Sequence, residues 1–388
     1  MFHVEHGRAM TDLPSTCRQY LPDALALLKQ LVEIESPSTD KAAVDRCSSF
    51  VETTFRKLGL TLQRVPAPSA GDQLYADWPG RDTQAGRILL LIHLDTVWPT
   101  GTLVRMPIRE EGGRLYGPGA YDMKASVAIT WLAVRTLLNL ERLPRRSIGV
   151  LFTSDEEIGS DASVELIRSE AQQSDLVLVM EPALPGGEIK TARKGVGDFK
   201  VIAHGRSSHA GGNHERGVNA IQEIAYHILA LQQLTNYALG TTVNVGVIRG
   251  GTRSNVVPDR AEMDVDFRVG TMAEAERITA AFQALRPVQP EAHLEVIGGL
   301  NRPPMERSAT MIATFEKARR IAATIGLDLK EGSTGGGSDG NFTAALGIPT
   351  LDGLGALGDG AHALHEHVVI DSLAERAALL AALWTEWD

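Results

Sequence analysis

Apolar positions follow two different rhythms along the chain. From Leu21 to about Ala192, helical stripes alternate with short, wholly apolar runs. Leu21, Leu25, Leu28 and Val32 share one face of a helix, with Pro22 in its opening turn, where a missing N–H costs nothing. The runs ILLLI (88–92), SIGVLFT (147–153) and LVLVM (176–180) lack alternation and predict strands buried on both faces. Helical sequence between such strands predicts an α/β layered fold with a mainly parallel sheet. The same rhythm returns after Ser308 and ends in a helix with Leu373, Ala377, Leu380 and Trp384 on one side.

The middle of the chain has a period of two. Phe199, Val201 and Ala203 alternate with polar residues, as do Val243, Val245 and Val247, and then Met263, Val265, Phe267 and Val269. Helical stretches at 218–234 and 272–285 separate these runs, and 294–297 closes the set as a strand. The order β-α-β-β-α-β is that of a ferredoxin-like α+β unit. The pattern predicts a small domain at residues 194–306, inserted into a discontinuous α/β domain formed by 1–193 and 307–388.

A length of 388 residues agrees with two cores rather than one. The net charge of -10, with no Lys/Arg-rich block, argues against a nucleic-acid partner. Cys17 and Cys47 are too few for a disulfide framework or a thiolate metal site. No apolar run approaches the ~20 residues that span a bilayer, and the N-terminus has no apolar stretch followed by a small-residue cleavage site. The expectation is a cytoplasmic protein with no membrane partner.

Candidate chemistry gathers where the apolar runs stop. In RILLLIHLDTVWPTG, His93 and Asp95 leave the same face of a buried strand. LYGPGAYDMKAS sets Asp122 just before a helix, LFTSDEEIGS ends a strand with Asp155, Glu156 and Glu157, and LVLVMEPALPG ends another with Glu181. GDGAHALHEHVVID offers His362, His365 and His367, of which one at most is a ligand. Each segment alone has a plain structural reading: a satisfied histidine, a helix N-cap, acids against a helix dipole. Together they lie at the carboxyl ends of strands, where open α/β sheets bind ligands. Histidine with carboxylate and no cysteine suits catalytic zinc or a similar divalent ion. Charge counting favours two ions: Asp122, Glu157, Glu181 and a bridging hydroxide balance two divalent cations, with His93 and His362 neutral.

The motifs H-L-D, G-P-G-A-Y-D-M-K, D-E-E-I-G-S, M-E-P and the late G-A-H resemble, in order and spacing, those of the dinuclear zinc amidohydrolases. That family includes glutamate carboxypeptidase (carboxypeptidase G), aminoacylase and succinyl-diaminopimelate desuccinylase. KGVGDFKVIAHGRSSHAG, GGTRSNVVPDRAEMDVDFRV, NRPP and STGGGSDGNFTAALGIPT look like the carboxypeptidase G branch, and the likeness runs from about Leu21 to Leu383.

The resemblance implies that His93, Asp122 and Glu181 hold one zinc and that Asp122, Glu157 and His362 hold the other, with cobalt or manganese as alternative ions. It makes His365 a variable position, Glu156 the general base, and Asp95 the group that orients His93 through its free ring nitrogen. It also implies a cis bond between Asp122 and Met123. His209 and Asn255 would polarise the scissile carbonyl across a homodimer, while Arg268, Arg302 and the amides around Gly336 would bind the substrate carboxylate. Arg268 has a second reading, as a strand residue paired with Asp264 or Asp266. The implied activity is cleavage of an amide next to a free carboxylate in a small peptide or N-acyl amino acid, with release of a C-terminal amino acid, glutamate foremost. One departure stands out: the lysine that serves the glutamate side-chain pocket in that branch has no clear counterpart, because Glu188, Ile189 or Lys190 could fall there. An N-acyl-amino-acid deacylase is the alternative, and a non-catalytic binding module on the same fold a second one.

Overall fold

The computed structural model describes residues 2–82 and 84–388, with residues 2–11 described by their backbone. In chain order the main elements are α1 (Phe2–Glu33), α2 (Lys41–Arg56), β1 (Thr61–Val65), β2 (Gln73–Trp78), β3 (Arg87–His93), α3 (Ala125–Asn139), β4 (Ser147–Thr153), α4 (Val164–Gln172) and β5 (Leu176–Val179). There follow β6 (Gly195–His204), α5 (Ala220–Gln232), β7 (Thr242–Gly250), β8 (Arg260–Val269), α6 (Met272–Gln283) and β9 (His293–Arg302). The chain closes with α7 (Ala309–Thr324), β10 (Thr350–Leu351) and α8 (Ile370–Glu386).

These elements form two compact units. The larger contains Met1–Thr191, Arg307–Ser333 and Ser338–Asp388; the smaller contains Ala192–Glu306 with Thr334–Gly337. The large unit holds a six-stranded sheet in the order β1-β2-β4-β3-β5-β10. Its four strands from β4 to β10 are parallel, and β1 and β2 extend it antiparallel. Ile88 to Ile92 of β3 are at most 1% exposed, as a run without alternation requires of a central strand covered on both faces.

Helices α1, α3 and α8 pack together on one side. The helix expected to open at Pro22 instead runs from Phe2 through Pro14 and Pro22. Each proline forfeits a backbone hydrogen bond. Burial of Leu13, Cys17, Ala24, Leu28, Leu31 and Val32 along the whole face outweighs that loss. Among the described residues no helix is long and apolar enough to cross a membrane.

The small unit is an antiparallel four-stranded sheet, β7-β8-β6-β9, with α5 and α6 packed against it. Along β8, Ala261, Met263, Val265, Phe267 and Val269 are buried, while Glu262, Asp264, Asp266 and Arg268 take the other face. The Phe199 ring lies 5.6 Å from Phe267 and 4.1 Å from Phe282, in a core separate from that of the large unit.

Candidate metal centre

Three adjacent parallel strands bring the first acids and histidine together. β3 lies between β4 and β5, and His93 sits opposite Thr153 in register. The carboxyl ends of the three strands therefore open side by side, delivering His93, the turn carrying Glu156 and Glu157, and Glu181 to one place. Asp122 arrives from the loop before α3. That loop passes Gly119 at φ 69°, where a Cβ would stand 2.5 Å from Thr96 Cγ2, so glycine is required twice over. The Asp122-Met123 peptide bond is cis.

Asp122 is the middle of the cluster. Its Oδ1 lies 3.2 Å from His93 Nε2, and its Oδ2 lies 3.3 Å from His362 Nε2. Glu181 Oε1 stands 3.6 Å from His93 Nε2, and Glu157 Oε2 stands 3.1 Å from His362 Nε2. His93, Asp122 and Glu157 can bring one ligand atom each within 4.8 Å of one another, and so can His93, Glu156 and Glu181. Glu156 thus stands beside the cluster as well as next to Glu157 in sequence. His362 has φ 62°, a backbone conformation uncommon outside glycine and a mark of functional positions. Of the other two candidate histidines, His365 is exposed, and His367 is buried with Nδ1 on the His365 carbonyl and its ring 5.0 Å from Tyr116.

His93 Nδ1 lies 3.0 Å from the backbone carbonyl of Asp95. A carbonyl only accepts, so Nδ1 carries a proton, and Nε2 is the nitrogen that faces Asp122 and Glu181. The expectation that the Asp95 carboxylate orients this ring needs correction: its nearest oxygen is 3.6 Å from Nδ1. Instead Oδ1 accepts the Glu156 N–H and Oδ2 the Glu157 N–H, both at 3.2 Å. Ser38 Oγ donates to Oδ2 at 2.6 Å. Asp95 is fully buried, and a carboxylate there is tolerable because these donors satisfy it. Its main chain orients the imidazole while its side chain fixes the turn carrying the two glutamates.

The electrostatics describe a place for positive charge. His362 is pushed up to about 10 by its contacts with Asp122 and Glu157. Burial lowers the His93 imidazolium, yet Asp122, Asp95 and Glu156 together raise it well above the usual value. Burial likewise opposes ionisation of Asp122, but the two histidines hold its carboxyl far below the ordinary range. Glu157 Oε1 is buried and finds no hydrogen-bond partner among the described residues. A carboxylate shared by two imidazoles, an inward-facing Nε2 and a buried carboxylate oxygen with no partner among the described residues fit a centre for divalent cations.

The remaining candidates lie in the small unit. The pairing of Ser208–His209 with Val256–Val257 brings His209 beside Asn255, whose carbonyl accepts the Ala210 N–H at 3.0 Å. His209 Nδ1 accepts the amides of Gly211 and Gly212 at 3.1 and 3.0 Å, which leaves the ring proton on Nε2, and the side chain is exposed. Arg268 pairs with Asp266 at 2.8 Å, in line with its second sequence reading. Arg302 is buried, and its Cδ lies beside Gly337. The Gly336 carbonyl accepts from Arg193 at 3.2 Å and its amide reaches Thr334 Oγ1 at 3.4 Å, so this glycine is tied within its own unit. In the large unit, Lys190 is buried against Asp352 at 3.8 Å. Ser38 and Glu366 were not singled out in the sequence. Ser38 carries no local signal, whereas Glu366 shows one: an acid set just ahead of the apolar pair Val368 and Val369.

Comparison with known proteins places this geometry. Residues 89–386 match the model of peptidase family M20/M25/M40. The chain is similar to carboxypeptidase G2 of Pseudomonas sp. (strain RS-16), with 32% identity over 375 residues, 93% of this chain and 88% of the relative. It is also similar to the succinyl-diaminopimelate desuccinylase of Delftia acidovorans, with 29% identity over 374 residues covering 89% and 93% of the two chains. Among solved structures, aminopeptidase PepT from Bacillus cereus shares the fold with a TM-score of 0.77 at 23% identity, covering 94% of this chain and 98% of its own. An M20 family metallo-carboxypeptidase from Sulfolobus solfataricus does so with a TM-score of 0.73 at 18% identity, covering 93% and 98%. With most of its length matched by the family model and a cluster of candidate metal-binding residues at the strand ends, the chain belongs to peptidase family M20/M25/M40 and is a metal-dependent hydrolase.

Proposed function

We propose that the protein is a dizinc hydrolase that cleaves the amide bond next to a free carboxylate in small peptides or N-acyl amino acids, releasing the C-terminal amino acid. The observation that carries this reading is Asp122 held between two imidazoles, each facing a different carboxylate oxygen. His93, Asp122 and Glu181 would hold one ion, and Asp122, Glu157 and His362 the other. When bound, the ions would lower the pKa of water and polarise the scissile carbonyl.

The chain's own residues supply the rest. Glu156 takes a proton from the attacking water and returns it to the leaving amine. Asp95, by accepting the Glu156 and Glu157 amides, sets both carboxylates at once. His209, with its proton on Nε2, donates to the carbonyl oxygen as negative charge develops there, and Asn255 assists. Arg302, Arg268 and the amides around Gly336 bind the substrate carboxylate.

We assign His209 and Asn255 to the site of a partner chain in a homodimer. β7 is an edge strand, and Val247 and Ile248 on it, like Ile221, Tyr226 and Leu229 on α5, are exposed. An unpaired strand edge beside exposed apolar side chains is a template for association.

The Lys190–Asp352 pair favours a second reading, as a deacylase of N-acyl amino acids. A lysine already committed to a buried aspartate is poorly placed to select a glutamate side chain. A hydrolysis screen of the zinc-loaded protein tests both readings, using dipeptides, N-acyl amino acids and pteroyl-glutamates with varied C-terminal residues: turnover of N-acyl amino acids far above that of dipeptides and pteroyl-glutamates favours the deacylase. Turnover confined to substrates with a free carboxylate beside the scissile amide supports the proposal. Equal turnover of carboxamide analogues, or full activity after exhaustive chelation, contradicts it.

A further inference from the structure

Glu366 is fully buried and belongs to neither ligand set. Its carboxylate accepts four N–H groups. Oε2 takes Trp98 Nε1 at 2.7 Å and the Gly119 amide at 3.0 Å. Oε1 takes the amides of Tyr121 and Asp122 at 2.9 and 3.1 Å. Its backbone carbonyl also accepts the Gly117 amide at 3.3 Å. A carboxylate offers about four lone-pair sites, so every one is used.

The donors come from separate stretches of chain, and each stretch carries a residue of the cluster. Trp98 is on the segment that leaves β3 after His93. Gly119, Tyr121 and Asp122 form the loop of the central aspartate. Glu366 itself lies four residues beyond His362. One carboxylate therefore ties the His93 segment, the Asp122 loop and the His362 segment together, and these three side chains are the ones that meet at Asp122.

We infer that Glu366 is a positioning residue: it sets the place of Asp122 between His93 and His362 and so governs how tightly the centre holds metal. The inference rests on the two-ion reading above. The chemistry demands an acceptor on both oxygens. Glu366→Gln keeps the shape but turns an NH2 group onto one pair of N–H donors, either Trp98 with Gly119 or Tyr121 with Asp122, and that pair loses its acceptor.

The test uses the full-length protein stripped of metal, with Glu366→Gln and Trp98→Phe beside wild type. Trp98 is only partly buried, so its replacement removes one donor without a large change in the core. The expected result has two parts. Amide hydrogen exchange in the metal-free protein quickens in the peptide containing residues 117–124 and stays unchanged in the small unit. Affinity for zinc, measured by chelator competition, falls about 10- to 100-fold in Glu366→Gln, with Trp98→Phe between it and wild type. The cobalt(II) absorption spectrum of both variants shifts, a readout that loss of fold stability alone does not move. Unchanged exchange at 117–124 overturns the clamp. Faster exchange with unaltered zinc affinity and an unaltered cobalt spectrum overturns the positioning role. Should Glu366→Gln fail to fold, Trp98→Phe decides by the same criteria. A wild type that binds no metal contradicts the metal-centre reading instead, and the exchange comparison still decides the clamp.

Discussion

Glu156 and Glu157 are neighbours in different surroundings, and the proposal gives them different work. Glu157 is held against His362 at 3.1 Å with its second oxygen buried and bare, the setting of a ligand. Glu156 stands within reach of His93 and Glu181, where a carboxylate can exchange a proton with water at the cluster. Because Asp95 holds both main-chain amides, either side chain can be changed to its amide without moving the turn. Glu156→Gln is therefore expected to keep its metal and lose about 10²- to 10⁴-fold in kcat, the usual worth of a general base. Glu157→Gln is expected to lose metal as well as activity. Metal analysis beside steady-state kinetics separates the two, and equal metal loss in both variants would mean that base and ligand are wrongly divided.

At the scale of elements, β3, β4 and β5 needed only their apolar runs to be placed, because they are central and covered on both faces, whereas β1, β2 and β10 have no such run and were not read. The same holds for β8, whose period of two reappears as alternating burial. The candidate ligands at strand ends were legible for the same reason: where an apolar run stops, the next polar side chain faces outward. What could not be read is what those ends touch. Ser38 lies 57 residues from Asp95 and Glu366 lies 268 residues from Trp98, and nothing local in either sequence segment announces the partner. Local spacing also misled at Asp95, two residues from His93, since its carboxylate turns to another strand end. Pro22 looked like a helix start because a single proline carries no record of the face buried around it.

A buried carboxylate in the small unit gives an element-scale test. Glu223 on α5 accepts the amides of Val288 and Gln289 at 2.7 and 2.9 Å and contacts His227 Nε2 at 2.9 Å, tying the helix to the chain after α6. Burial raises its pKa, but these hydrogen bonds outweigh burial and leave it below the usual carboxylate value. A folded-state pKa below the unfolded one means that the stabilisation is present above the unfolded value and is lost as pH falls through the folded one. Glu223→Gln should cost about 1–3 kcal/mol at neutral pH, and thermal unfolding of the two proteins should converge as pH drops below 4.5, the ordinary value for glutamate. A difference that is constant from neutral to acid pH would contradict this account.

For the molecule as a whole, the assignment of His209 to a partner's site predicts complementation. His209→Ala removes a donor worth about 3 kcal/mol to the transition state, while its exposed position leaves fold and metal content unchanged. Mixed with Glu156→Gln chains under subunit exchange, it should recover activity, because each heterodimer has one site with an intact Glu156 and an intact His209. Random pairing gives about a quarter of wild-type activity at full exchange. Verified heterodimers as inactive as both parents exclude the assignment across the dimer. The central claim, that Asp122 is shared by two ions, is tested most directly by crystals grown with zinc and measured on both sides of its absorption edge. The account predicts two anomalous peaks per chain, one touching His93, Asp122 and Glu181 and the other touching Asp122, Glu157 and His362. A single peak without Asp122, or none at these side chains, would contradict it.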